Sequence, residues 1–246
     1  MRLGCLVNNE RVKIFGIELI NAGLDEVSKF LEESLKKRKK TFIATPNTEI
    51  VMEAKKDLSF VKKINDFDVV VADGIGLVYG SRIRKHPLKE RVTGYDLSMK
   101  LLETANKEGY SLFLLGANEG VAALAAEKIK EKYPRIKIAG THNGYFSDAS
   151  EVLSLIDCDI LFVGMGFPKQ ENFLYENREK IRAVCAIGNG GVLNILAGNQ
   201  KRAPMIFQKL GLEWFYRLLK EPKRITRQWK LPLFLLEVIS DKNSII

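Results

Sequence analysis

Short apolar runs recur along the chain, and most of them show no polar alternation. They are TFIAT (Thr41–Thr45), FDVVVA (Phe67–Ala72), YSLFLLG (Tyr110–Gly116), RIKIAG (Arg135–Gly140), CDILFVG (Cys158–Gly164) and AVCAIG (Ala183–Gly188). A strand that is apolar at successive positions has to be covered on both faces, as parallel strands between two helix layers are. The stretches between them carry helical periodicity: Leu24–Lys37, Thr48–Ile64, Tyr95–Lys107, Glu119–Lys132, Ala149–Ile156 and Pro168–Lys180. Strand and helix patterns in this order predict an α/β fold, a Rossmann-like, mostly parallel sheet with flanking helices and right-handed crossovers. The early stretch RVKIFGIELINAG fits a hairpin or an edge strand.

The chain has 246 residues, 46% hydrophobic and 28% charged, which supports a packed core. No apolar run reaches the roughly 18 residues that span a membrane. The start, MRLGCLVNNE, has no apolar segment before Cys5 and does not read as a signal peptide. Cys5, Cys158 and Cys185 are odd in number and far apart, so reduced thiols in a cytosolic protein are expected. The net charge is +9, and residues 200–246 carry ten Lys/Arg against four Asp/Glu, so +6 of it lies there. The chain is therefore divided into a core, 1–199, with halves 1–109 and 110–199, and a basic appendage, 200–246. In the appendage, Pro204 to Lys220 reads as one amphipathic helix, Pro222 starts a second, basic helix, and Pro232 opens a short apolar end.

In open parallel sheets ligands bind beyond the carboxyl ends of the strands. The segments found there are PNTE, DGIG, ANEG, THNGYF, MGFPKQE and NGG, polar and rich in glycine. The turns GANEG, GMG and GNGG suit backbone amides approaching a nucleotide phosphate. No Walker motif is present, and no complete G-x-G-x-x-G is followed by an acidic residue at dinucleotide spacing, which disfavours both a P-loop ATPase and a nicotinamide cofactor. DCD (Asp157–Asp159) and DFD (Asp66–Asp68) resemble metal-binding D-x-D pairs but precede strands, at the wrong end of the sheet. With two histidines and no C-x-x-C, no metal site is expected.

Asp73 closes the run VVVAD at the ligand end and fits two roles, a helix cap or a general base raised in pKa by burial. Thr45 ends the neighbouring strand at the same edge. In PKQENF, Lys169, Gln170 and Glu171 open a helix, where an anion is favoured. Arg217, Lys220, Arg224 and Arg227 share a helical spacing interleaved with aromatics beside the apolar LPLFLLEVI, which favours an anionic membrane surface over nucleic acid.

Taken together, TPNTEI, ADGIGLV, ERVTGYDL, FLLGANEGVA, GTHNGYF, VGMGFPKQE, GNGGVLNILAGNQKRAP and GLEWFYRLLKEPKRITRQ resemble the WecG/TagA/CpsF glycosyltransferases, from about Val12 to Gln228. The resemblance implies an inverting, metal-independent transferase on the inner face of the cell membrane. Its donor is a UDP-sugar and its acceptor a polyprenyl-diphosphate-linked sugar. The TagA branch moves N-acetylmannosamine from UDP-N-acetylmannosamine to N-acetylglucosamine on undecaprenyl diphosphate, the teichoic acid linkage unit. Other branches use donors such as UDP-N-acetylmannosaminuronic acid. A nucleotide-binding adaptor without turnover is the non-enzymatic alternative.

The family's base corresponds to Asp73, with Thr45, Arg91 and Gln170 as further catalytic candidates. Asn47, Gly116, Asn118, Gly164, Gly166, Lys169, Glu171, Asn189 and Gly190 are candidate substrate contacts. Arg217, Arg224 and Arg227 match the basic appendage expected to meet the lipid diphosphate. An apolar appendage face would also suit a homo-oligomer. The family usually reads G-V-G-G with an aspartate further into the helix, where this chain has Asn189 and Asn194.

Overall fold

The computed structural model describes residues 10–222, 225 and 229–246. Among them a six-stranded parallel sheet forms in the order β4-β3-β8-β7-β5-β6. Its strands are β3 (Thr41–Ala44), β4 (Val69–Val70), β5 (Ser111–Gly116), β6 (Lys137–His142), β7 (Asp157–Gly164) and β8 (Arg182–Gly188). The expected runs each yield a strand, although FDVVVA pairs only at Val69 and Val70.

Strand residues alternate between two cores. Ile160, Phe162, Cys185 and Ile187 pack on one face, against α1 (Leu24–Lys36), α5 (Gly94–Glu108), α6 (Val121–Lys132) and α9 (Val192–Leu196). Leu161, Val163 and Ala186 pack on the other, against α2 (Thr48–Ala54), α3 (Leu58–Asn65) and α8 (Lys169–Glu176). A short α7 (Ala149–Leu153) adds Val152 to this second face. Burial of both faces is why the inner strands lack polar alternation, while β6, at the sheet edge, is exposed at alternate residues.

The stretch Thr48–Ile64 is two helices rather than one. Asp57 interrupts it, and its carboxylate accepts the Ser59 N–H at 2.9 Å, starting α3. The two acidic pairs seen in the sequence are tied up at the amino ends of the strands. Asp159 accepts the Ser111 N–H at 2.8 Å and pairs with Arg38. Asp68 accepts the Phe42 N–H at 2.7 Å and pairs with Arg178. Cys158 and Cys185 are buried free thiols, and burial pushes the Cys158 thiol up to about 12. Cys5 lies outside the described residues.

The early stretch is a hairpin, β1 (Arg11–Ile14) and β2 (Ile17–Ile20), turning through Phe15 and Gly16 at positive φ. The last residues of the chain cover its open edge: Lys13 and Ile246 exchange backbone hydrogen bonds at 2.8 and 3.0 Å, and the Phe15 N–H reaches the Ser244 carbonyl.

The segment Pro204–Lys220 is broken at Gly211 (φ +71) into α10 (Met205–Lys209) and α11 (Glu213–Lys220). Pro232 lies in the first turn of α12 (Lys230–Ser240), where a missing N–H is tolerated. Phe234 and Val238 of α12 are fully buried in the same core as the sheet. The helix α4 (Ile75–Ile83), which follows Asp73, accepts them through two glycines. A Cβ on Gly80 would stand 2.8 Å from the Phe234 ring, and one on Gly76 would stand 2.3 Å from Leu231. Ion pairs Lys230–Glu53 and Lys55–Glu237 hold α12 to α2. The chain terminus thus buttresses the helix that begins beside Asp73. Phe234→Ala should cost about 3–5 kcal/mol, measured as a lowered denaturation midpoint. An unchanged midpoint would show that α12 does not share the core.

Candidate active site

Two clefts meet at the carboxyl ends of β3, β4, β7 and β8. The first lies over the turns after β7 and β8 and is lined by Thr45, Gly164, Gly166, Asn189, Gly190 and Asn194, among others. The second lies between the start of α4 and the C-terminal helices, with Ile75, Gly76, Arg91, Trp214 and Leu231 in its wall. Asn47, Glu49, Asp73, Glu213 and Arg217 line both, so Asp73 stands where one cleft opens into the other.

Asp73 does not cap its own helix. The residue before α4 is Gly74, which has no side-chain cap, and the Asp73 carboxylate instead accepts the N–H of Gly94, the first residue of α5, at 3.2 Å. Its backbone is pinned by Asp73 N–H to the Pro46 carbonyl and Val92 N–H to the Ala72 carbonyl. Burial raises the Asp73 carboxyl above its usual range, while the Gly94 N–H, Arg91 and Arg217 pull the other way and Glu213 adds to the rise. A carboxylate so raised is a stronger base toward a substrate hydroxyl than an ordinary one. Gly94 lies close under this group: a Cβ there would stand 3.1 Å from the Thr45 hydroxyl, a tight approach, and 3.7 Å from the Asp73 carboxylate, an ordinary contact.

Thr45 is buried and donates to the Gly188 carbonyl at 3.1 Å, which ties the β3 end to the β8 end. Asn47 caps α2, accepting the Ile50 N–H at 3.0 Å. Gln170 has a precise local task. Its carbonyl accepts the N–H of both Gly166 (3.2 Å) and Gly190 (3.0 Å), binding the two glycine turns together. Those amides are therefore satisfied within the protein. The glycines serve instead by positive φ and by thinness: a Cβ on Gly164 would meet the Gly190 carbonyl at 2.7 Å. Gln170 is oriented by Glu171, which accepts its amide hydrogen at 2.9 Å. Burial raises the Glu171 carboxyl, and its second oxygen has no hydrogen-bond partner.

Asn189 donates to Ser98 at 3.1 Å, and its side-chain oxygen is buried without a partner beside the first cleft.

Several other sequence candidates lie away from the clefts. Gly116 packs against Gly164, where a Cβ would meet backbone at 2.5 Å, and Asn118 accepts from the Tyr145 hydroxyl. Lys169 is exposed, and neither it nor Glu171 lines either cleft. Arg217 reaches both clefts, while Arg224 and Arg227 lie outside the described residues. Reading residue by residue missed an ionic chain. Arg91 pairs with buried Glu213 at 2.5 Å, Glu213 also with Arg202 at 3.4 Å, and Arg202 with Asp96 at 2.7 and 3.0 Å. Its members sat inside the quoted blocks ERVTGYDL, QKRAP and GLEW, yet nothing in their spacing showed that they meet.

The sequence matches the Glycosyl transferase WecG/TagA/CpsF family over residues 12–245. The chain belongs to that family. Among curated relatives it is 36% identical over 235 residues to the N-acetylglucosaminyldiphosphoundecaprenol N-acetyl-beta-D-mannosaminyltransferase of Bacillus subtilis (strain 168), covering 94% of this chain and 92% of the relative. It is 34% identical over 244 residues to the protein of the same name from Staphylococcus aureus (strain MW2), covering 97% and 96%. The segment ADGIGLV, which holds Asp73, lies inside the matched region and lines both clefts at Asp73.

Removing the Gln170 side chain leaves two half-buried N–H groups without their acceptor. Gln170→Ala should therefore cost about 1–3 kcal/mol per orphaned group and weaken nucleotide binding, measured by thermal shift with and without UDP. Unchanged stability and binding would contradict the clamp.

Proposed function

We propose that the protein transfers N-acetylmannosamine from UDP-N-acetylmannosamine to the 4-hydroxyl of N-acetylglucosamine on undecaprenyl diphosphate, with inversion. The observation that carries this reading is the half-buried Asp73 carboxylate, which lines both clefts and whose charge is disfavoured there. The donor nucleotide occupies the cleft over the β7 and β8 turns. The acceptor enters the cleft beside Trp214, Leu231 and the amino end of α4. Asp73 takes the proton of the acceptor hydroxyl as its oxygen attacks the anomeric carbon from the face opposite UDP. The bond from that carbon to the diphosphate oxygen breaks, and its electron pair leaves with UDP. General-base help of this kind contributes about 10²–10⁴-fold.

With the Gly166 and Gly190 amides already used by Gln170, the departing negative charge falls to Arg217, which lines both clefts, helped by Arg91 in the wall of the second. We assign the transfer to these cations rather than to a metal.

No helix among the described residues is long and apolar enough to cross a membrane. Exposed apolar side chains nevertheless gather on the last helices: Ile206, Leu219, Trp229, Leu236 and Ile239. Beside basic residues they suit the surface of an anionic bilayer, where the lipid acceptor resides. Cosedimentation with anionic vesicles should fall as salt rises, and equal binding to neutral vesicles would contradict an electrostatic contribution.

The direct test is UDP release from a panel of UDP-sugars with a diphospholipid acceptor analogue, with and without chelator. Asp73→Asn should keep UDP binding and lose about 10²-fold or more of turnover, while chelator changes nothing. Turnover by Asp73→Asn at the wild-type rate would remove Asp73 as the base, and loss of activity in chelator would remove the metal-free mechanism. Stability should move the other way. A carboxyl whose folded pKa is raised contributes stability that is full below the ordinary carboxylate range and lost as pH rises through the folded pKa. Asp73→Asn removes the disfavoured charge, so its melting temperature should exceed the wild type's at neutral pH and converge with it in acid.

A further inference from the structure

Glu213, at the start of α11, is only 8% exposed and lines both clefts together with Asp73. Its two carboxylate oxygens are divided between two arginines, one from the core and one from the start of the C-terminal segment: Arg91 Nη2 at 2.5 Å and Arg202 Nε at 3.4 Å. Arg202 is in turn fixed on its far side. Its two terminal nitrogens fork onto Asp96 at 2.7 and 3.0 Å, and its plane lies over the Tyr95 ring at 4.3 Å. Burial opposes ionisation of Asp96, but Arg202 and the Thr93 hydroxyl hold its carboxyl below the usual range. Thr93 and Asp96 cap α5, whose first N–H rests on Asp73. An unbroken run of polar contacts therefore links Arg91, through Glu213 on the C-terminal segment, to the residue that holds Asp73.

We propose that Glu213 is a positioning residue for the transfer: by anchoring against Arg202, it holds the Arg91 guanidinium in the wall of the second cleft, on the Asp73 side, from where it meets the charge that develops on the leaving diphosphate. An arginine side chain is long and rich in rotamers, so without a fixed carboxylate it would have to be ordered during the reaction. The pair with Glu213 does that ordering in advance, and preorganised donors are what stabilise developing charge in a partly dry site. Because Glu213 belongs to α11, Arg91 is set only when the C-terminal segment is seated. This inference rests on the transfer reading above and on Asp73 as its base.

Asp73 gives a second readout. Among the described residues, the charged groups around it are Arg91 from the loop before α5, Arg202 from the start of the C-terminal segment, Arg217 and Glu213 from α11, and Glu49 from α2. Removing the Glu213 charge takes away a carboxylate that favours the protonated acid and leaves Arg91 less neutralised. Both changes move the acid limb of the kcat/KM profile toward lower pH.

The test compares the full-length wild type with Glu213→Gln, which keeps the shape and loses the charge, and with Glu213→Asp, which keeps the charge and withdraws it. Turnover is measured at saturating acceptor across pH, with the folded fraction fixed by circular dichroism. Glu213→Gln should lower kcat on the order of 10²-fold with little change in donor KM, and shift the acid limb downward. Glu213→Asp should lower kcat while leaving the acid limb in place. Wild-type kcat in either variant overturns the proposal, as does a lowered donor KM in Glu213→Gln, which would mean that the carboxylate merely occupies the site of a substrate anion. If Glu213→Gln does not fold, Glu213→Asp decides by its kcat. Failure of the transfer reading is distinguishable, because it would appear as absent transfer in the wild type or as full activity in Asp73→Asn.

Discussion

A carboxylate held under the amino end of a helix, in a place where its charge is costly, is the constraint around which this molecule is arranged. Asp73 keeps one backbone N–H, that of Gly94, and has arginines nearby, yet burial still lifts it above the ordinary carboxylate range. The sheet supplies the rigidity that such a placement needs. β4 pairs with β3, the Asp73 N–H is tied to Pro46, and Val92 is tied to Ala72, so the backbone on either side of the carboxylate is fixed from two directions. The cost of keeping this group in place is the familiar trade of stability for activity.

The C-terminal segment contributes in two physically different ways. Its last helix is apolar glue, with Phe234 seated against Gly80 and Val238 in the main core. Its middle helix is ionic, bringing Glu213 to Arg91 and Arg202 and Arg217 to the clefts. The first interaction holds the segment on the body, and the second makes its seating felt at the reacting centre. Glycines allow both approaches, at Gly76 and Gly80 for the helix contact and at Gly211 for the bend between α10 and α11.

The strands were legible because their apolar runs have no polar face, and that pattern has few other causes. Val69–Val70 came out shorter than its run because only β3 pairs with it, at the edge of the sheet. The break at Asp57 was hidden, since an apolar period continued through it and only the cap chemistry marked the new start. Asp73 could be placed at the ligand edge from strand polarity, but its partner could not, because Gly94 lies 21 residues away. The glycine turns were read as phosphate amides, whereas two of those amides belong to Gln170. Composition gives the flexibility of a turn and says nothing about which acceptor reaches it. The ionic chain through Glu213 was invisible for a related reason: its members come from distant parts of the sequence and meet only in the fold.

The central claim is that donor and acceptor approach Asp73 from opposite clefts. A crystal structure with UDP bound tests it most directly. The account predicts a diphosphate over the β7 and β8 turns, its outer phosphate pointing toward Asp73 and within reach of Arg91 or Arg217, with the nucleoside near Asn189 and Asn194. UDP lodged beside Ile75, Trp214 and Leu231, or outboard over Gly116 and Asn118, would contradict it.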